Sequence, residues 1–361
     1  MTSTCGTWQT AGTTAANQRF ARRRTLRAHP FRNPPSAIRT RGTRNAVTLV
    51  ELLITIAILA TISAVFLGAS RSAMEFSRSS RTKATINKLD KLLMERWASY
   101  STRRVDVPIL AGTSGNAAAW ARLDATRKLM MLEMPDRWSD LLGDTVENSP
   151  PINPPAIRGT IPIVEISRTA PPADDYGTLP LTYPSLTRAY LRRYDRLDPS
   201  DPEKIRENQS AECLYMIILL ATGDGEARTL FSQQDIGDTD EDGAPEFLDG
   251  WGNPIGFIRW PSGFVAESDL MSGDADADHD PFDHFRRDNT AYRLVPLIFS
   301  IGADDDSDIN TSGITVTSLT NPPDPYASNY DSAQLGVAQD RDDPPDGEGW
   351  HDNIHNHLQD R

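Results

Sequence analysis

The sequence contains only two cysteines, Cys5 and Cys213, among 361 residues. With one cysteine beyond residue 46, that part of the chain cannot form an internal disulfide, so packing or bound ions must stabilise it. Residues 1–46 contain nine arginines and no Asp or Glu, and residues 52–70 contain no charge at all. These absences divide the chain into a basic leader, an apolar segment and an acidic remainder.

The sequence also lacks the motifs of common catalytic sites. It has no Gly-x-Ser-x-Gly elbow, phosphate-binding loop or His-Glu-x-x-His motif, so we expect no enzyme activity. Removing the nine leader arginines from 37 basic residues leaves 28 against 50 acidic residues, a net charge near −22. Such an acidic chain is not expected to bind nucleic acid.

The apolar segment at 47–67 is long enough to cross a membrane. As a helix it would span about 31 Å, close to the thickness of the hydrocarbon core. Its thirteen Leu, Ile, Val and Phe side chains favour insertion by about 6 kcal/mol. The carboxylate of Glu51 near one end opposes insertion, which points to a functional reason for this acid.

Residues 48–53 read Thr-Leu-Val-Glu-Leu-Leu. This stretch resembles the processing and assembly signal of type IV pilins and type II secretion pseudopilins. The resemblance implies that prepilin peptidase cleaves between Ala46 and Val47 and that the new amino terminus is N-methylated. It also implies that Glu51 is the assembly carboxylate, which pairs with the terminal amine of a neighbouring subunit. Ala46 and Val47 stand where the family usually has Gly and Phe.

Three other interpretations of the segment remain. A secretory signal peptide would be cut near the small residues 68–70, but a Glu inside its apolar stretch is atypical. An ordinary membrane anchor explains the length and gives Glu51 no function. A mitochondrial presequence fits the arginine-rich leader, but a full membrane span does not normally follow it directly.

The leader at 1–46 indicates the orientation of the chain. By the positive-inside rule its arginines stay in the cytoplasm. We therefore expect a single-pass protein of the cytoplasmic (inner) membrane, with its C-terminal domain on the periplasmic, extracytoplasmic side. Residues 47–100 are predicted to form a transmembrane and stalk helix. The apolar side chains of the stalk recur at three- and four-residue steps, at Ile86, Leu89, Leu93, Trp97 and Tyr100.

Residues 101–361 are predicted to form an extracytoplasmic α+β globular domain with a mostly helical insertion at about 105–225. Helices are expected at 116–134, 185–197 and 201–223, and a Pro-rich loop with at most short strands at 149–184. Cys213 is interpreted as a packing residue of the last helix. The resemblance implies a pilin-like fold, in which the long N-terminal helix packs on an antiparallel sheet, here with extra helices and long acidic loops.

The segment 238–249 has the spacing of an EF-hand-type calcium loop. Its oxygen-bearing side chains fall at positions 1, 3, 5, 9 and 12, with Gly243 at position 6, where a sharp turn is required. These candidate ligands are Asp238, Asp240, Asp242, Glu246 and Asp249. A solvated acidic turn is the alternative. The alternating acids of 274–280 lack the glycine, and we interpret them as a hydrated loop.

Two short motifs follow. Residues 249–255, Asp-Gly-Trp-Gly-Asn-Pro-Ile, are similar to the Asp-Pro-Trp-Gly-Asn-Pro stretch of the major pseudopilins, and 292–304 are similar to their last strand and Ser-x-Gly-x-Asp turn. The resemblance implies a calcium site at Ser300, Asp304 and Asp352. Asp305, Asp306 and Asp308 are alternative ligands, and solvated loops are the alternative to a calcium site. Pro296 predicts that this strand lies at an edge or contains a bulge. His351, His355 and His357 are interpreted as residues of a mobile terminus rather than as metal ligands.

These features together predict a structural pseudopilin or pilin-like subunit of a type II secretion or type IV pilus-like filament. Its expected partners are other pilin-like subunits, prepilin peptidase, the secretion or pilus assembly machinery and membrane lipid, and its expected cofactor is calcium. The alternative is a membrane-anchored, calcium-dependent binding or adhesion domain that does not polymerise.

Overall fold

The computed structural model describes residues 48–105, 107, 114–142, 160–162, 180–182, 184–197, 204–221, 226–304, 308–311, 325–326, 335–338 and 353–358. The leader, the predicted cleavage site at Ala46 and Val47, and the predicted ligand Asp352 lie outside these residues. The chain forms two compact units, 1–62 and 63–361.

Helix α1 (Leu49–Ser99) is 51 residues long. The Thr48 hydroxyl oxygen accepts the backbone N–H of Glu51 at 3.2 Å, and the Glu51 carboxylate accepts the backbone N–H of Thr48 at 3.1 Å. This reciprocal pair is a capping box, which satisfies N–H groups that the start of a helix leaves free. The predicted long helix is therefore present, and it begins at a defined cap.

The first part of α1 is apolar and exposed. Eighteen consecutive residues of this part have a mean hydropathy of 2.5, and none of them is buried. Its length and composition are compatible with a single membrane span.

The second part of α1 buries one stripe of side chains. All five predicted stalk positions are buried, with Leu89 and Leu93 fully so. Polar contacts flank the stripe: Lys88 donates to the Leu230 carbonyl at 3.1 Å, and Asp90 accepts from the Asn356 amide at 2.7 Å. The 3.6-residue period thus predicted the packed face of the stalk correctly.

The following region is mostly helical in its described parts. Its helices are α2 (Gly115–Glu133), α3 (Ser139–Leu142), α4 (Ser185–Tyr194), α5 (Lys204–Glu207), α6 (Gln209–Ala221) and α7 (Glu226–Thr229). Two short antiparallel strands, β1 (Thr160–Pro162) and β2 (Pro180–Thr182), lie within the predicted Pro-rich loop.

The helix expected over 201–223 is interrupted. The structure has α5 and α6 on either side of Asn208, whose side-chain amide donates to the Thr239 hydroxyl at 2.9 Å and to Asp240 at 3.2 Å. The Asn208 carbonyl still accepts the first N–H groups of α6. Asn is common at helix boundaries because its side chain forms hydrogen bonds that compete with a continuous helix.

The other strands of the described residues lie in the second half of the chain. Strands β3 (Ile236–Gly237) and β4 (Glu246–Phe247) form one antiparallel pair. Strands β5 (Gly256–Ile258), β6 (Leu297–Ser300) and β7 (Ile354–His355) form an antiparallel sheet in the order β5-β6-β7. Two 3₁₀ turns lie at Gln233–Asp235 and Phe264–Glu267. The fold class is α+β, as predicted.

The prediction of an edge strand or bulge after Pro296 is wrong. Strand β6 is central, because its residues pair with β5 on one side and with β7 on the other. Pro296 immediately precedes the first residue of β6, so its missing N–H lies outside the ladder.

Two clusters form the core. The larger joins the stripe of α1 with residues of α6, β5 and β6, and the smaller surrounds Trp138. Helix α6 packs against β4 and β5 and contributes to both clusters. Cys213 belongs to the smaller cluster with no exposed surface, as expected for a packing residue.

Candidate functional site

Five acidic side chains converge between helix α6 and the loop that joins β3 to β4, and we call them the acidic cluster. Candidate ligand atoms of Glu212, Asp240 and Glu246 all lie within 4.8 Å of one another, as do those of Asp238, Asp240 and Asp242. Asp240 belongs to both groups and connects them. Four of the five acids are buried, and Asp238 is exposed.

The loop folds its own carboxylates inwards. Asp240 accepts the backbone N–H of Asp242 at 3.2 Å, and Asp238 accepts that of Gly243 at 3.2 Å. Gly243 has a φ of +99°, which a glycine adopts without strain. The turn expected at position 6 of the predicted calcium loop is therefore present.

Several oxygens of the acidic cluster have no hydrogen-bond partner. These buried atoms are Glu212 Oε1, Glu246 Oε1 and Asp242 Oδ2. Glu212 and Glu246 have no exposed surface, while their second oxygens accept bonds from Trp138 Nε1 and from the Thr239 N–H. A buried carboxylate oxygen without a partner is costly, so this arrangement requires protons or a cation.

The ionisation of the acidic cluster reflects this cost. Burial, followed by the charge of Asp242, raises the pKa of Glu212 to about 9. Burial and the neighbouring Asp240 raise the pKa of Glu246 to about 8. Burial also raises the pKa of Asp242 to about 6, although Lys204 opposes that rise. In the absence of a cation, the cluster therefore holds protons at neutral pH.

The donor set fits a hard divalent cation. Every side chain in the acidic cluster offers carboxylate oxygen, and none offers nitrogen or sulfur. Calcium binds six to eight such oxygens at about 2.3–2.6 Å, so ligands on opposite sides of the ion lie about 4.6–5.2 Å apart. The ligand atoms of each group lie within 4.8 Å of one another, so a single ion of this size can contact all three acids of a group.

Asp249, the last predicted ligand of the loop, belongs to neither group. One of its oxygens accepts the backbone N–H groups of Trp251, Gly252 and Asn253 at 2.8–2.9 Å. Its other oxygen accepts the Ser300 hydroxyl at 2.7 Å. The Asp249 carboxylate therefore holds the turn and connects the two motifs that resemble pseudopilins.

The second predicted calcium site is described only in part. Ser300 is fully buried and donates its hydroxyl to Asp249, whereas Asp304 is exposed. Within the described part of the chain, Asp304 belongs to no group of converging carboxylates. Asp352 lies outside the described residues.

The turn that follows Asp249 packs on helix α1. Gly250 donates its N–H to the Thr82 hydroxyl at 2.8 Å, and a Cβ built on Gly250 would lie 2.4 Å from the Arg78 carbonyl oxygen. The indole N–H of Trp251 donates to Glu75 at 2.8 Å. Proline, which the pseudopilin motif has at position 250, would lose this N–H, so Gly250 suits the local packing.

The segment 274–280 is only partly the hydrated loop that was expected. Asp274 and Asp276 are exposed, whereas Asp280 is buried and pairs with the buried guanidinium of Arg127 at 3.1 Å. The interpretation as a hydrated loop is therefore wrong at Asp280, because Arg127 of helix α2 compensates its buried charge.

The spacing of the sequence motifs does not predict Glu212 as a ligand. It lies in an apolar helix, 26 positions before Asp238, and local spacing does not relate it to the loop. Its only local signal is an acid at the start of a core helix. A Glu in a core helix is rarely fully buried unless it is paired, so Glu212 is expected to have a partner elsewhere in the fold.

Comparisons with models of protein families, with curated proteins and with solved structures found no match to this chain. Its function is therefore inferred from its own residues and their geometry.

Proposed function

We propose that the chain is a pilin-like subunit, held in the cytoplasmic membrane by its N-terminal helix and assembled through that helix into a filament. The observation that carries the proposal is helix α1. It combines an exposed apolar part of membrane length, an acid in its first turn and a second part packed into the globular body. A filament subunit needs these three features, because its helices pack side by side in lipid while the body remains outside.

The basic leader supports the orientation. Nine arginines and no acids precede the span, so the leader stays in the cytoplasm and the body lies on the periplasmic side. In this proposal prepilin peptidase removes residues 1–46, and the assembly machinery of a secretion or pilus system builds the filament. The role is mechanical rather than catalytic.

Glu51 is the proposed assembly residue. Within one chain its carboxylate only caps its own helix and is exposed. An acid at this depth is costly in lipid unless it meets a cation, and the terminal amine of a neighbouring subunit supplies one. Pairing then favours helices that are in register.

The substitution Glu51→Gln tests this role. Glutamine keeps the capping hydrogen bonds, so the helix start is retained while the charge is lost. The test uses cysteine cross-linking. The native cysteines should not interfere, because Cys213 is buried and Cys5 lies in the leader. With Leu53→Cys added, oxidation of native membranes should link two subunits through their apolar segments.

We expect disulfide-linked dimers with Glu51 and at least a tenfold lower yield with Glu51→Gln. The matched control is Glu95→Gln, an exposed acid further along the same helix, which should leave the yield unchanged. Equal cross-linking in all three chains would refute the assembly role of Glu51.

The second candidate function is a membrane-anchored binding or adhesion domain that does not polymerise. The capping box favours it, because this cap gives Glu51 a use within a single chain. In that case oxidation of native membranes should yield no cross-linked dimers when the protein is present at its normal level. The same cross-linking experiment therefore separates the two functions.

A further inference from the structure

We propose that the acidic cluster is a calcium site in which Glu212 of helix α6 and the loop acids Asp240 and Glu246 bind one ion together. Asp240 also converges with Asp238 and Asp242, and these two acids complete the outer side of the site. This site differs from the predicted calcium loop, because it includes Glu212 and omits Asp249. It is independent of whether the chain forms filaments.

The unpartnered oxygens carry the inference. Glu212 Oε1 and Glu246 Oε1 are in fully buried side chains and accept no hydrogen bond, and the ligand atoms of these acids lie within 4.8 Å of each other. Carboxylates at the protein surface would have water as a hydrogen-bond partner, unlike these two. Here two elements distant in sequence place desolvated carboxyl groups face to face, and they can stay there only as protonated acids or as carboxylates bound to a cation.

The surrounding contacts orient the ligands. Trp138 Nε1 donates to Glu212 Oε2, so that Oε1 remains for the ion. The Asn208 amide holds Asp240 at 3.2 Å, and the Thr239 N–H holds Glu246 at 3.2 Å. Outer hydrogen bonds of this kind fix ligands in metal sites.

The ion would hold helix α6 against the β3–β4 loop. Glu246 belongs to β4, and the Asp249 turn that contacts helix α1 follows directly. Beyond residue 46 the chain has one cysteine and no possible internal disulfide, so an ion between these elements serves as a cross-link. Its removal should loosen the loop and lower the thermal stability of the body.

The full chain in detergent, treated with a chelator and then titrated with calcium chloride, tests the site by calorimetry. We expect calcium to bind and to raise the melting temperature. Glu212→Gln should bind calcium at least tenfold more weakly. Glutamine has the shape of the protonated acid, so the fold should be retained, which circular dichroism checks.

The matched control is Asp276→Asn, an exposed acid of the other acidic loop, and its calcium affinity should equal that of the unmodified chain. Glu246→Gln provides a second variant, with the same expected loss as Glu212→Gln. Absence of calcium binding, or equal affinity in Glu212→Gln and Asp276→Asn, would overturn the proposal.

A terbium titration locates the ion. Terbium takes calcium sites and emits when a nearby indole absorbs, and Trp138 contacts Glu212 directly. Trp138→Phe should abolish most of the sensitised emission, while Trp251→Phe should leave it nearly unchanged. The reverse pattern would place the ion elsewhere and contradict this site.

Discussion

His355 and His357 are core residues although they lie near the end of the chain. His357 Nε2 lies 3.0 Å from the Pro296 carbonyl oxygen, which only accepts, so this nitrogen carries the hydrogen. His357 Nδ1 then accepts the Ser268 hydroxyl at 2.7 Å. Burial lowers the pKa of both rings to about 4, although Asp269 opposes this at His355. The expectation of a mobile terminus is therefore wrong at these residues.

The two rings predict how stability depends on pH. Histidines in the unfolded chain titrate near 6.5, so below that pH the unfolded state binds protons that the folded state excludes. The contribution of these two neutral rings to stability should be complete well above pH 6.5 and be lost as the pH decreases towards 4. Each ring should remove about 2 kcal/mol between pH 6.5 and 5.

The substitution His355→Gln tests this dependence by urea unfolding of the full chain in detergent at pH 7 and pH 5. Glutamine retains an acceptor for the His357 N–H, and the pH-dependent loss should shrink by about the share of one ring. The exposed His284→Gln should leave the loss unchanged. Identical pH dependence in all three chains would show that His355 is not buried as a neutral ring.

Residue patterns predicted part of the site. Asp238, Asp240, Asp242 and Glu246 converge, because the spacing of a tight loop places alternating side chains on one side. Glu212 was not predictable, since only the packing of helix α6 against β4 brings it there. Asp249 has calcium-loop spacing, but the N–H groups of the following turn occupy its oxygen instead.

At the scale of elements, polar contacts and a close backbone approach hold helix α1 against the body, in addition to apolar burial. Arg81 bonds Asp235 through two nitrogens, at 2.7 and 3.1 Å, and bonds the Gln234 carbonyl at 2.8 Å. Gly250 meets the helix backbone one turn earlier, at Arg78. This turn fits closely because position 250 has no side chain.

Gly250→Ala should therefore destabilise the body. Its Cβ would lie 2.4–2.8 Å from backbone atoms of Arg78, which cannot move without bending the helix, and overpacking of this kind costs about 1–3 kcal/mol. Urea unfolding of the full chain measures the change. The control is Gly115→Ala, where a Cβ meets nothing within 4 Å, and it should change stability by less than about 0.5 kcal/mol. Equal stability of the two variants would contradict this packing.

The elements themselves were largely predictable where periodicity was strong. The stripe of α1 and the ends of α2 at Gly115 and Glu133 follow from apolar spacing and from Pro135. The break at Asn208 and the central position of β6 were not, because both depend on distant partners. Asn208 bonds the acidic loop, and β7 at the far end of the chain pairs with β6.

At the scale of the whole molecule, charge and hydropathy are segregated along the chain. A basic leader, an apolar span and a body with a net charge near −22 follow one another. The proposed insertion in one orientation and the proposed removal of residues 1–46 both depend on this order. The acidic body also attracts divalent cations, which fits the buried acidic cluster.

The proposed filament can assemble only after the leader is removed, because the proposed pairing requires a free amino terminus four residues before Glu51. The most direct test is the intact mass of the chain purified from its native membrane. For the proposed subunit we expect the mass of a chain that begins at Val47 and carries one added methyl group. A mass that includes the 46 leader residues, or that begins near Arg71, would contradict it.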